Sequence, residues 1–167
     1  MAFLYSITLE VLALTTDKKY TLLVKQLKNL YNGEKNIVAN LANTASVLKQ
    51  ELNLFWVGFY FVEKDENELV LGPFQGPIAC TRIPFGKGVC GYSWKNKKSI
   101  LVPDVNLFED HIACNSNSKS ELVCPIIVNN KVVCILDADS EKINGFDLTD
   151  QKTFELICSE IASLFSS

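Results

Sequence analysis

Three cysteines in loop-like segments are the residues whose types and spacing most directly suggest chemistry. Cys80, Cys90 and Cys114 are flanked by Gly, Pro, Asn and Ser, which mark irregular backbone. His111, the only histidine, lies three residues before Cys114. Thiols in such segments favour sulfur chemistry or metal binding over packing. The remaining cysteines lie in apolar periodic runs and are predicted to be inert core residues: Cys124, Cys134 and Cys158.

A zinc centre and a catalytic histidine are two alternatives for these residues. Cys80, Cys90, His111 and Cys114 offer the nitrogen and sulfur ligands that Zn²⁺ prefers, but the paired C-x-x-C spacing is absent. The sequence therefore favours a site with no metal and no cofactor. Two roles stay open for His111: a base for Cys114, or a loop residue that hydrogen-bonds the backbone.

The segment from Gly86 to Gly91 matches the pattern G-x-G-x-x-G. A single match is weak, and no βαβ unit is predicted around it. A glycine-bent turn that enters a short helix is the better interpretation. Cys90 would then lie in the first turn of that helix, where the backbone dipole favours a thiolate.

The elements that must position these residues follow from hydrophobic periodicity. Asn32-Gly33 is predicted to end the first helix, and Asn129-Asn130 suits the two-residue turn of a hairpin. The predicted elements are helices over 17–31 and 34–52, strands over 55–62, 69–74, 99–102, 121–128 and 131–139, and a final helix that Asp147 caps. This order predicts a single α+β domain with an antiparallel central sheet, helices on one face and long loops on the other.

Strand alternation predicts which side chains face the loops. Glu121, Asp137 and Asp139 lie on the loop-covered face, and Trp56 and Tyr60 share that face on either side of a gap left by Gly58. Val133 and Ile135 are also predicted to face the loops, and the helix-facing set is Phe55, Val57, Phe59, Phe61, Val132, Cys134 and Leu136.

The loop-covered face therefore combines three carboxylates, two aromatic rings and a loop thiol. Such a pocket suits a small polar ligand, with the carboxylates holding an amino group and a ring holding a methyl group. The alternative, that Asp137 and Asp139 simply end a strand in a turn, stays open, most of all for Asp139.

Composition and charge exclude several classes of protein. The 167 residues suit one domain, and a net charge of −3 without a Lys/Arg block argues against nucleic acid as a partner. The six cysteines and the lack of a signal-peptide pattern predict a reducing compartment, and hence a cytoplasmic location.

The apolar residues 1–16 are predicted to be an N-terminal extension, and 17–167 to be the domain. The extension has no basic region, is interrupted by Glu10 and is too short to span a bilayer, so no membrane association is expected. It is predicted to pack on the domain or on a partner subunit.

Six phrases occur in this order along residues 41–165: GPFQGPIAC, GKGVCG, VPDVN, HIAC, KSELVCPI and LDADS. On these phrases the chain resembles the free methionine-(R)-sulfoxide reductase family, which is built on a GAF-type domain. The resemblance implies a GAF-like fold, thioredoxin as reductant, a homodimer, and reduction of free L-methionine-(R)-S-oxide to L-methionine.

The resemblance also implies roles for matching positions. Cys114 matches the thiol that attacks the sulfoxide and becomes a sulfenic acid, Cys80 matches the thiol that resolves it into a disulfide, and Cys90 matches an auxiliary redox thiol. Glu121, Asp137 and Asp139 match acids that orient the substrate and help to protonate its oxygen. Trp56 matches an aromatic residue at the substrate's methyl end, and Tyr60 is expected to bind substrate beside it. The alternative function is a sensory GAF module that binds a small ligand without catalysis.

Overall fold

Two helices begin the part of the chain that the computed structural model describes, residues 18–65, 67–112 and 114–165. Residues 18–31 form α1, which ends at Asn32-Gly33 as predicted, and Gly33 adopts a φ of +85°. Ile37–Leu52 form α2, which begins three residues later than predicted. The reason is that Asn36 caps α2, accepting a hydrogen bond from the Ala39 amide at 3.0 Å. The predicted extension, residues 1–16, lies outside the described residues.

Six strands of the described residues form one antiparallel sheet in the order β3-β2-β1-β6-β5-β4. Their bounds are Trp56–Val62 for β1, Glu68–Gln75 for β2, Arg82–Pro84 for β3, Ile100–Val102 for β4, Ser120–Val128 for β5 and Lys131–Ser140 for β6. The predicted α+β sheet and its two hairpins are confirmed. Strand β3 was not predicted, because a run of three residues that ends in a proline carries no alternation signal.

The hairpin of β5 and β6 turns at Asn129 and Asn130, whose φ angles of 49° and 63° are those a two-residue turn requires. Ile126 pairs with Cys134, but Ile127 pairs with Val132, so one extra residue is accommodated in β6. This β-bulge reverses the faces that alternation predicted for the start of β6. Val132 packs on the loop side of the sheet and Val133 on the helix side, which corrects the prediction.

Helices α1 and α2 and the last helix of the chain cover one face of the sheet. Leu148–Leu164 form α4, and Asp147 caps it with a capping box that includes Asp150, as the sequence indicated for the cap. The cluster beneath these helices contains the three cysteines predicted to be inert, Cys124, Cys134 and Cys158, all buried. No helix of the described residues is both long enough and apolar enough to cross a membrane.

The opposite face carries the long loops and one short helix, α3, formed by Gly88–Asn96. Gly86 and Gly88 have φ angles of +76° and +59°, which confirms the predicted glycine-bent turn into a helix. A second apolar cluster lies beneath α3 and the loops, and it includes Trp56 and Tyr60. Phe55 belongs to this cluster rather than to the helix side, because β1 begins one residue after it.

Candidate active site

The floor of the candidate site consists of three carboxylates from the neighbouring strands β5 and β6. Strand pairing places Glu121 opposite Asp139, while Asp137 lies opposite Val123 on one side and Gly58 on the other. Glu121 and Asp137 are only 6% and 7% exposed. The structure therefore brings together the three acids that alternation placed on one face.

Burial raises the pKa values of all three acids, and repulsion from neighbouring acids adds to this at Glu121 and Asp137. Burial raises the pKa of Asp137 well above its usual range, and the charges of Asp139 and Glu121 raise it further. Burial, followed by the charge of Asp139, does the same to the pKa of Glu121. The pKa of Asp139 rises to about 6 through burial, although a hydrogen bond from Ser118 and the nearby His111 both act to lower it. The three acids therefore keep their protons to a higher pH than ordinary carboxyl groups do.

A disulfide joins Cys80 to Cys114, with the Cα atoms 5.3 Å apart. Cys80 lies in the loop between β2 and β3, and Cys114 lies in the loop that precedes β5. The hydroxyl of Tyr60 donates a hydrogen bond to the Cys80 carbonyl at 3.0 Å, which fixes this loop over the second apolar cluster. Because these two sulfurs are bonded to each other, the four-ligand zinc set considered above is not assembled in this structure.

Aromatic rings form one wall of the site. Trp56 is 4% exposed, stacks on Phe74 with ring centroids 5.5 Å apart, and donates its indole N–H to the Pro77 carbonyl at 3.1 Å. The predicted gap over Gly58 does not exist, because a Cβ atom there would lie 2.5 Å from the Trp56 ring. Gly58 therefore lets the indole lie flat against the strand.

Cys90 lies in the first turn of α3, as predicted, but its environment does not favour a thiolate. Its side chain is 3% exposed, and its sulfur lies 4.0 Å from Glu121 Oε1. Burial, and then the charges of Asp137 and Glu121, raise the pKa of this thiol well above its ordinary value. The prediction of a dipole-stabilised thiolate at Cys90 is therefore wrong, since desolvation beside two acids outweighs the helix dipole.

His111 is positioned beside the acids. Its Nε2 atom lies 3.6 Å from Glu121 Oε2, and burial lowers its pKa. Its backbone amide donates to the Phe108 carbonyl at 3.3 Å, so it also shapes the loop that leads to Cys114. The contact with Glu121 is one that neither of the two predicted roles included.

A pocket of about 560 Å³, counted with its open mouth, connects these groups. Six of the eight predicted site residues line this pocket: Trp56, Tyr60, Cys90, Cys114, Glu121 and Asp139. The other two, Cys80 and Asp137, are not part of its lining. Sequence reasoning missed Ser118, Ile112, Ile78 and the position of Phe55, all of which line the pocket.

Ser118 is the most informative of the missed residues, because its hydroxyl donates a hydrogen bond to Asp139 Oδ1. Ser118 lies in the polar segment from 115 to 120, where nothing in the pattern distinguishes it from its neighbours.

Chemically, the pocket combines a dithiol–disulfide pair, buried carboxyl groups that can donate a proton, one carboxylate that ionises near neutral pH, and an apolar aromatic wall. This combination suits the reduction of a small polar molecule that carries a cationic group and an apolar end.

Comparisons with known proteins agree with this geometry. The chain matches the GAF domain family over residues 35–166. It is 51% identical over 144 residues to GAF domain-containing protein A of Dictyostelium discoideum, a match that covers 86% of this chain and 90% of that protein. It is 38% identical over 149 residues to the free methionine-R-sulfoxide reductase of Escherichia coli, with 89% of each chain covered. Its fold is similar to that of free methionine-R-sulfoxide reductase from Neisseria meningitidis in complex with its substrate, with a TM-score of 0.86, 46% identity and 88% of each chain covered.

Proposed function

The chain belongs to the GAF-domain family of free methionine-R-sulfoxide reductases, and we propose that it reduces free L-methionine-(R)-S-oxide to L-methionine with its own thiols as the first electron source. The observation that carries this proposal is the Cys80–Cys114 disulfide, which lies beside a pocket floored by buried acids. A ligand-sensing module would have no use for a disulfide at the wall of its binding pocket.

In the proposed cycle, the reduced Cys114 attacks the sulfoxide sulfur. The sulfoxide oxygen takes up a proton and is transferred to Cys114, so that methionine leaves and Cys114 becomes a sulfenic acid. The Cys80 thiol then attacks this sulfenic acid, and the disulfide forms with the release of water. The net reaction consumes one sulfoxide and two thiols and yields one thioether, one disulfide and one water.

The acids supply the proton and hold the substrate. Glu121 lies on the pocket wall, and burial raises its pKa, so it is placed to donate a proton to the sulfoxide oxygen. A hydrogen bond between Asp137 and Glu121 raises the pKa of Asp137 and lowers that of Glu121, so the two carboxyl groups can share a proton. Asp139, with a pKa of about 6, is mostly ionised at pH 7 and is placed to bind the substrate's ammonium group.

The aromatic wall accounts for the apolar end of the substrate. Trp56 and Tyr60 present ring surface to the pocket, where a methyl group attached to sulfur can pack. The Tyr60 hydroxyl is already bonded to the Cys80 carbonyl, so Tyr60 also positions the resolving thiol. Cys90, buried beside Glu121, is retained as an auxiliary thiol in this proposal.

The proposal includes thioredoxin as the reductant that restores the dithiol. Cys114 is exposed, which gives a protein dithiol access to the disulfide. A homodimer is also proposed, since Leu22 and Leu30 on α1 and Leu156 on α4 are exposed apolar residues that a second copy can cover. A cytoplasmic location remains a prediction from the cysteine content.

The test is thioredoxin-dependent turnover of three substrates: free methionine-R-sulfoxide, free methionine-S-sulfoxide and a peptide-bound sulfoxide. We expect turnover of the free R epimer alone, and none by Cys114→Ser. Cys158→Ser is the matched control, because Cys158 is a buried thiol on the helix side whose hydrogen bond to the Cys124 carbonyl a serine can imitate. Equal turnover of the peptide-bound sulfoxide, or full activity of Cys114→Ser, would contradict the proposal.

A further inference from the structure

A second set of ligand atoms lies within the floor of the pocket. Cys90, Glu121 and Asp137 each contribute one atom, a thiol sulfur or a carboxylate oxygen, and these atoms lie within 4.8 Å of one another. All three side chains are buried. We call these residues the thiol–carboxylate cluster.

One carboxyl oxygen of this cluster has no hydrogen-bond partner among the described residues. Asp137 Oδ1 is buried and has no hydrogen-bond partner among the described residues. Asp137 as a whole is only 7% exposed. A buried carboxylate oxygen without a partner is costly, because it loses water and gains nothing in exchange. A cation bound by the cluster would satisfy it.

We propose that the thiol–carboxylate cluster binds a thiophilic divalent cation such as Zn²⁺. At Zn–S and Zn–O bond lengths of about 2.3 and 2.1 Å, a tetrahedral ion holds its sulfur and oxygen ligands about 3.6 Å apart. Cys90 Sγ lies 4.0 Å from Glu121 Oε1, so a movement of a few tenths of an ångström brings both atoms onto one ion. Three protein ligands leave a fourth position for water on the pocket side.

The cluster is accessible and chemically selective. Cys90 and Glu121 both line the pocket, so an ion can enter through the mouth that admits the substrate. A sulfur ligand favours Zn²⁺ or Co²⁺ over Mg²⁺ and Ca²⁺, which require oxygen ligands. Cys90 does not take part in the disulfide, so the cluster keeps its thiol when Cys80 and Cys114 are oxidised.

A bound cation would block turnover, and this consequence rests on the proposed function. Glu121 cannot hold a metal ion and donate a proton to the sulfoxide oxygen at the same time. Zn²⁺ is therefore expected to inhibit the reductase in competition with free methionine sulfoxide. The binding itself is independent of turnover and can be measured on the oxidised protein.

The direct test is a Co²⁺ titration of the oxidised protein, followed by the near-ultraviolet thiolate-to-cobalt charge-transfer absorption. We expect one ion per chain and a charge-transfer band in the wild type and in Cys158→Ser. We expect no band in Cys90→Ser, and at least a tenfold weaker affinity in Asp137→Asn, because loss of a direct ligand costs no less than loss of a residue that orients one. Circular dichroism of each variant establishes that it is folded.

The proposal is overturned if the oxidised wild type shows no band, or if Cys90→Ser retains it. An exposed-acid variant, Asp65→Asn, controls for the loss of charge alone and is expected to bind as the wild type does. If Cys90→Ser does not fold, Asp137→Asn decides the matter, since it keeps the thiol and unchanged affinity would refute the site. A protein that binds Co²⁺ but reduces no sulfoxide would refute the proposed function and leave the metal site standing.

Discussion

The hydrogen bond from Ser118 to Asp139 gives a quantitative test of how the pocket holds its substrate. In the proposed function Asp139 must be ionised to bind the ammonium group, and its pKa is about 6. At pH 7 about 90% of the Asp139 carboxyl groups are therefore ionised. The hydroxyl of Ser118 acts to keep this pKa low, so Ser118→Ala is expected to raise it.

The magnitude follows from the strength of the bond that is lost. A hydrogen bond to a charged group contributes about 1.5–3 kcal/mol, which corresponds to an increase in pKa of about one to two. The pKa of Asp139 in Ser118→Ala would then be about 7–8, and the ionised fraction at pH 7 would fall to about 10–50%. We expect substrate capture at pH 7 to fall about two- to tenfold, and to recover as the pH rises to 8.5 or above.

The assay is methionine release in a single turnover by the reduced enzyme without reductant, measured between pH 5.5 and 9. The wild type and the variant carry the same thiols, so the ratio of their rates reports the change at Asp139. Asp139→Asn is the control, since its rate relative to the wild type should fall as the pH rises through 6. A variant-to-wild-type ratio for Ser118→Ala that does not change with pH would refute the reasoning and assign Ser118 a structural role.

Three further outcomes follow from the same site. In a burst titration without reductant, Cys114→Ser should release no methionine, whereas Cys80→Ser should release about one methionine per active site and then stall. A burst from Cys114→Ser would show that a different thiol attacks the sulfoxide. N-acetylmethionine sulfoxide should be reduced at least about tenfold more slowly than free methionine sulfoxide, because acylation removes the charge that pairs with the acids. Equal turnover of the two compounds would refute an enclosed amino-group site. Gly58→Ala should destabilise the fold by about 1–3 kcal/mol in urea unfolding and should raise KM, because the new methyl group displaces the Trp56 ring. An unchanged free energy of unfolding together with an unchanged KM would contradict this packing.

Alternation and turn chemistry were sufficient to predict the floor of the site. The turn at Asn129-Asn130 and the cap at Asp147 are local features whose residue types determine the backbone. Once β5 and β6 were placed, a period of two put Glu121, Asp137 and Asp139 on one face. The pairing of Cys80 with Cys114 came from family resemblance, because spacing alone does not determine which thiols meet.

The wrong predictions share a physical cause, which is that each depends on how side chains and strands pack together rather than on the pattern along one segment. The bulge that reverses Val132 and Val133 depends on how β5 pairs with β6. The space over Gly58 is taken by a Trp56 ring that leans along the strand toward Phe74. The helix dipole at Cys90 is visible in the sequence, but the two acids that surround this thiol are brought there only by folding.

The bulge in β6 also separates the tip of the hairpin from the end of the same two strands that carries the three acids. From Glu121 opposite Asp139 to Ile126 opposite Cys134 the register is continuous, and the single-residue mismatch is taken up beyond that point, next to the turn. The register is therefore already interrupted between the turn at Asn129-Asn130 and the acids, so a change in the length of this turn is expected to leave the pairing around the acids unchanged. The hairpin tip is consequently a suitable place to insert a fluorophore tag or an affinity peptide into this enzyme, at a distance along the sheet from its chemistry.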